Sequence, residues 1–209
     1  MNAYQPEQLL VDKLVTALEA DFEIILEDRL RSTTGVFRID GMEHKCYPDM
    51  IITPKSHLSD YFEQDCSKWF IPVEVKHIST GDLESDVDKY ERMLYQVHSY
   101  RLSSFDNRHP RIALYFVGDA FDTLSRKDLA WDHNRSRDYQ SPDYWRKHYI
   151  HQKRHAMTLF GRLGVGEILL QDGGYTFTVV RQLFFGKVRD NYKSNLNLVK
   201  YWWGSNASS

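Results

Sequence analysis

The chain has 209 residues, 42% hydrophobic and 14% aromatic, with a formal charge of −2; this is apolar material for one globular domain with a real core and an appended subdomain, and too much for a disordered chain. No apolar run approaches the roughly 20 residues of a membrane span, and MNAYQPEQLLVDKL lacks the basic start and small-residue cleavage site of a secretory leader, so a cytoplasmic protein is expected. Divided at Tyr100, the first part holds 19 acidic and 10 basic residues and the second 10 and 17; a polyanionic partner would contact the second part, although solvated helix faces also cluster charge.

Pro6 suits a first helical turn, and Leu10, Leu14, Ala17 and Leu18 recur on one face, which predicts a helix over 6–20 with Glu7 on that face. FEIILEDRL follows as a strand. VFRID and HKCYPDMIIT form a hairpin about the turn pair Asp40-Gly41. KWFIPVEVKHI is a further strand, and after the capping residues 79–82 a helix runs through Val87, Tyr90, Leu94, Val97 and Arg101. RIALYFV is apolar on both faces and reads as an inner strand. The first 118 residues thus read helix, three strands, helix, strand. Residues 119–141 are polar and irregular, and a basic helix from Ser141-Pro142 extends to about Gly161. EILLQ, the turn 172–174 and YTFTVVRQLFF form a last hairpin, and GSNASS a frayed tail. Cys46 and Cys66 have no CxxC spacing, so neither a disulfide framework nor a structural zinc site is suggested.

Two carboxylates interrupt this pattern. Asp49 opens the apolar run MII, and Glu74 lies inside FIPVEV with Lys76 two residues on and so on the same strand face. A carboxylate in an apolar strand is costly unless it is paired, hydrogen-bonded or bound to metal. Hard oxygen ligands of this kind suit Mg²⁺, with Mn²⁺ as a substitute. The plainer alternative is a turn acid after a proline, beside an exposed strand face whose charges pair with their neighbours.

Pro48-Asp49 with Glu74-Val75-Lys76 resembles the signature of the PD-(D/E)XK nucleases, and the element order over residues 6–118 is similar to their common core. Gln96 and Tyr100, four apart on one helix face, resemble the QxxxY motif of the RecB-type and phage exonuclease branches. Glu7 matches the position of an extra acid in many members. The resemblance implies an α/β restriction-endonuclease-like core (α-β-β-β-α-β, a central mixed sheet flanked by helices) over 1–118; beyond it the residues' own pattern reads as an extension packed on that core over 119–204 and the tail 205–209. It implies that Asp49, Glu74 and the Val75 carbonyl hold a divalent ion, that Glu7 supports it or binds a second, that Lys76 orients or helps deprotonate the attacking water, and that Gln96 and Tyr100 position substrate phosphate or the lysine. The product would be a cut phosphodiester in DNA. Glu7 also reads as a first-turn acid against the helix dipole, and Gln96 and Tyr100 as a helix-face amide and a core-edge aromatic.

Arg146, Lys147, Lys153, Arg154, Arg181, Lys187, Arg189 and Lys193 supply phosphate contacts for such a partner. Tyr192, Tyr201, Trp202 and Trp203 could stack on unpaired bases or cap the core. His148, His151 and His155 share a helix face, but their basic neighbours favour a phosphate-facing or solvated helix over a zinc site. The expectation is a Mg²⁺-dependent deoxyribonuclease that acts on DNA, with a homodimer or larger assembly open to it. Its rivals are a catalytically inactive nuclease-like module that binds DNA or protein, and a transcriptional or anti-restriction factor acting through the basic second half.

Overall fold

The computed structural model describes residues 6–27, 35–39, 42–62, 66–78, 83–118, 155–156, 158–171, 173–180 and 182–195. Helix α1 (Pro6–Leu18) ends two residues before its predicted limit, because the chain turns through residues 19–21 into β1 (Phe22–Leu26). Strands β2 (Gly35–Ile39) and β3 (Met42–Cys46) pair with each other about residues 40–41, the expected hairpin. HKCYPDMIIT is not one strand, however. It breaks at Tyr47-Pro48, where proline has no N–H to give to a ladder, and resumes as β4 (Met50–Pro54) in a different sheet. Pro48-Asp49 therefore precedes a strand of the main sheet instead of ending the hairpin's second strand.

Strand β5 (Ile71–Val75), helix α2 (Leu83–Leu102) and β6 (Ala113–Phe116) follow as read from sequence. Among the described residues five strands precede α2, of which three, β1, β4 and β5, lie in the main sheet; β2 and β3 form a separate two-stranded sheet. Antiparallel β1-β4-β5 is joined by β6, parallel to β5. Then β7 (Val165–Gln171) runs parallel to β6, and β8 (Gly174–Val179), β9 (Gln182–Val188) and β10 (Asn191–Ser194) complete an antiparallel meander. The predicted final hairpin is thus four strands of the same eight-stranded sheet. YTFTVVRQLFF is split by a turn at Val180 (φ 47°), and β10 is added through Arg189 and Asp190 (φ 48° and 62°), both residues of a two-residue loop taking the positive φ that matches strand twist. Of the basic helix only its end is described, 158–161 being helical.

Side-chain alternation sends each strand's residues to two cores. Met50, Ile52, Val73, Val75, Leu114 and Phe116 face the side of α1; Ile51, Ala113, Tyr115 and Val165 face α2 with its buried Tyr90, Met93, Leu94, Val97 and Tyr100. The first core carries the aromatic mass. The Phe22 ring on β1 lies 5.9, 5.5 and 6.0 Å from the rings of Tyr175, Phe177 and Phe185 on β8 and β9. Strands far apart in the sheet order meet through these rings, so the sheet curls around its core. Burying one such ring contributes about 1.5–3 kcal/mol.

Candidate functional site

The register sets the site. One residue beyond the paired stretch of β4 and β5, Asp49 stands opposite Glu74, and its Oδ2 accepts the Val75 N–H at 2.6 Å. On the other side the Glu27 N–H donates to the Asp49 carbonyl at 2.9 Å, continuing the β1–β4 ladder. Across β5, β6 and β7, Glu74 pairs with Tyr115 and Tyr115 with Glu167. Paired residues point to the same face, so Glu27, Asp49, Glu74, Tyr115 and Glu167 form one row on the α2 side of the sheet. Glu27 and Glu167 were not singled out from sequence; only the strand order, which no local pattern encodes, aligns them with the others.

Glu74 is 1% exposed. Lys76 Nζ lies 2.9 Å from Glu74 Oε1 and 3.7 Å from Glu7 Oε1, so α1 does bring Glu7 to the lysine. From α2, the Tyr100 hydroxyl reaches Glu74 Oε2 at 2.5 Å and the Tyr47 carbonyl at 3.0 Å, and it accepts from Gln96 Nε2 at 2.7 Å. Glu7, Asp49, Glu74, Lys76, Gln96 and Tyr100, six residues from four separate segments, therefore form one connected cluster. Gln96 touches the tyrosine and not the lysine.

The electrostatics are unbalanced. Burial, then the Asp49 charge, pushes the Glu74 carboxyl up to about 7 against the pull of Lys76 and the Tyr100 hydroxyl. Asp49 is also raised: burial outweighs the Val75 N–H and Lys76, and Glu7 and Glu27 add to the rise. Lys76 loses solvation, but Glu74, Asp49 and Glu7 carry its pKa above the ordinary value. Burial and the neighbouring Glu74 raise Tyr100, which stays a neutral hydroxyl. Glu74 Oε1 is buried, with the Lys76 ammonium at 2.9 Å as its ion-pair partner.

Glu74 Oε1, with Asp49 beside it, is a hard-oxygen donor set suited to Mg²⁺ or Mn²⁺. Asp49, Glu74 and the Val75 carbonyl are the residues that would hold such an ion. Among the described residues no three or more His, Cys, Asp or Glu gather as a metal-binding group, and this set has only two carboxylates.

Of the predicted phosphate contacts, Arg146, Lys147, Lys153, Arg154 and Arg181 lie outside the described residues, as do His148, His151, Tyr201, Trp202 and Trp203. Arg189 and Lys193 are exposed on the β9–β10 hairpin. Lys187 is turned inward, 3.5 Å from Asp21 Oδ2 and over the Tyr192 ring. Asp21 was missed from sequence. It is 2% exposed in the turn between α1 and β1, and accepts from Tyr192 at 2.6 Å and Tyr175 at 2.9 Å, with His57 Nε2 at 3.0 Å. No helix among the described residues is long and apolar enough to cross a membrane. No protein-family model, curated protein or solved structure matches the chain.

Proposed function

We propose that this chain is a divalent-metal-dependent nuclease that hydrolyses phosphodiester bonds in DNA, built on a restriction-endonuclease-like core. The observation that carries the reading is Glu74 Oε1, buried beside Asp49 and ion-paired with Lys76 at 2.9 Å. Burial, and then the Asp49 charge opposite, raises Glu74 to about 7; a divalent cation would supply the counter-charge that lets both carboxylates ionise. The α1-β1-β4-β5-α2-β6 order, with β1, β4 and β5 antiparallel and β6 parallel to β5, supports the core assignment, with β2–β3 inserted before the aspartate.

The ion supplies Lewis acidity toward a phosphate oxygen and toward water. The chain's own groups do the rest. Lys76, 29% exposed, offers its ammonium to the solvent side of the site, where it offsets charge on the phosphate and orients the attacking water. Tyr100 fixes the Glu74 rotamer by holding Oε2, and ties it to the main chain at Tyr47, two residues before Asp49. Gln96 fixes Tyr100 in turn. Glu7 and Glu27 bring further negative charge near Asp49 and are the candidates to support the ion.

Incubation with Mg²⁺ or Mn²⁺ and plasmid, linear and single-stranded DNA tests this. Wild type should cut at least one form and Lys76→Ala should not. Equal background nicking by both proteins on every substrate would leave a module that binds DNA or protein without cutting.

A further inference from the structure

The β2–β3 hairpin stands outside the main sheet, with four consecutive exposed residues on β3, Met42, Glu43, His44 and Lys45. A two-stranded hairpin has little stability alone, and this one is anchored at its base. Val36 and Ser104 exchange both main-chain hydrogen bonds at 3.0 and 2.8 Å, and Cys46 Sγ meets Ser103 Oγ at 3.0 Å. A Cβ on Gly35 would come within 2.5 Å of Cys46 Sγ and the Phe105 ring, so only glycine allows the close seat. The hairpin is thereby fixed to the end of α2, the helix that carries Gln96 and Tyr100.

Its surface has a particular chemistry. Phe37 and His44 stack across the pair, centroids 5.1 Å apart and planes at 20°. Met42 is 62% exposed and Tyr47 50% exposed. Lys45 adds a positive charge. The second strand then leads through Tyr47 and Pro48 to Asp49, so the Tyr47 Cα lies within about 7 Å of the Cα of the candidate metal ligand. Its main-chain carbonyl is held by Tyr100, and the residue is half exposed among the described residues.

We infer that the β2–β3 hairpin, with Tyr47 at its root, is a base-stacking arm that delivers a DNA strand with unpaired bases to Asp49 and Glu74. This rests on the nuclease reading and narrows its substrate. Flat rings beside a strand-cleaving site stack on base faces, and duplex DNA covers those faces where single strands and frayed ends expose them. The acidic row offers no attraction for a phosphate backbone, so affinity must come from contacts next to it. The hairpin supplies them in continuity with the site.

The test is fluorescence-polarisation binding in a Glu74→Gln background, which prevents cutting, using a labelled single-stranded DNA, its blunt duplex and an RNA strand of the same sequence. Tyr47→Ala, which keeps the carbonyl that Tyr100 holds, should weaken single-stranded DNA binding about tenfold and leave the duplex unchanged. Tyr47→Phe should restore the affinity. Unchanged single-strand affinity, an equal loss on duplex, or a loss confined to RNA would overturn the inference. Cleavage by wild type is scored separately: DNA cutting with a silent Tyr47→Ala rejects the arm and keeps the nuclease, whereas stacking without metal-dependent cutting rejects the nuclease and keeps the arm.

Discussion

Two buried carboxylates sit at different places on this curled sheet, and each has tyrosine and lysine neighbours, yet they are in opposite states. Asp21 is surrounded by donors: the hydroxyls of Tyr175 and Tyr192, His57 Nε2 and Lys187. Burial pushes its pKa up, but these donors together bring it below 3.8. Glu74 has another acid opposite, the Lys76 ammonium on one oxygen, and a pKa pushed up to about 7. Fully satisfied charge fastens a fold; charge left short of partners awaits one from outside. Asp21 joins the α1–β1 turn to β8, β9 and β10 and is a structural pin, whereas Glu74 is the carboxylate on which the proposed site rests.

Substitution should separate the two most sharply. Glu74→Gln or Asp49→Asn should lower metal-dependent cleavage by about 10²–10³-fold without lowering the melting temperature in EDTA. Asp21→Ala should do the reverse, costing about 3 kcal/mol of unfolding free energy in a denaturant titration while cleavage per folded molecule persists. A stability loss of that size from Glu74→Gln would erase the contrast.

Acid should act on the two in opposite senses. Glu74 holds its proton more tightly folded, near 7, than unfolded, near 4.5. Its contribution to stability is therefore full below pH 4.5 and lost as pH rises through about 7, a swing of about 3 kcal/mol. Asp21 binds its proton less tightly when folded, so its contribution is full above pH 3.8 and lost as pH falls through its lowered value. Melting temperatures of metal-free wild type and Glu74→Gln should converge toward pH 4.5 and separate by pH 8, with the variant higher. Parallel curves would contradict the raised Glu74.

The smallest effect belongs to Glu27. Removing one of two like charges that stand opposite each other on paired strands relieves about 0.5 kcal/mol, so Glu27→Gln should raise metal-free stability slightly. It should also reduce the extra stability that Mn²⁺ confers. If Glu27 were merely a solvated acid, the Mn²⁺ increment would not change.

Local patterns in the sequence located α1, β1, α2 and the inner strand β6, because each is written in a run of adjacent residues. The pairing of Asp49 with Glu74 and Lys76 was legible for a related reason: charges that break apolar strands stand out against their neighbours. What escaped depends on who lies beside whom. Glu27 and Glu167 look like ordinary acids in their own segments and join the row only through strand order. Asp21 reads as a turn acid until β8, β9 and β10 close over it. The two strands merged as YTFTVVRQLFF looked continuous, since a turn through Val180 carries no glycine or proline to mark it.

The most direct measurement is diffraction from a crystal grown with Mn²⁺, recorded at the manganese edge. The account predicts an anomalous peak bound by the carboxylates of Asp49 and Glu74, with Lys76 drawn off Glu74 Oε1. A map with no manganese there, and the Lys76–Glu74 pair intact at a concentration that saturates other sites, would contradict it.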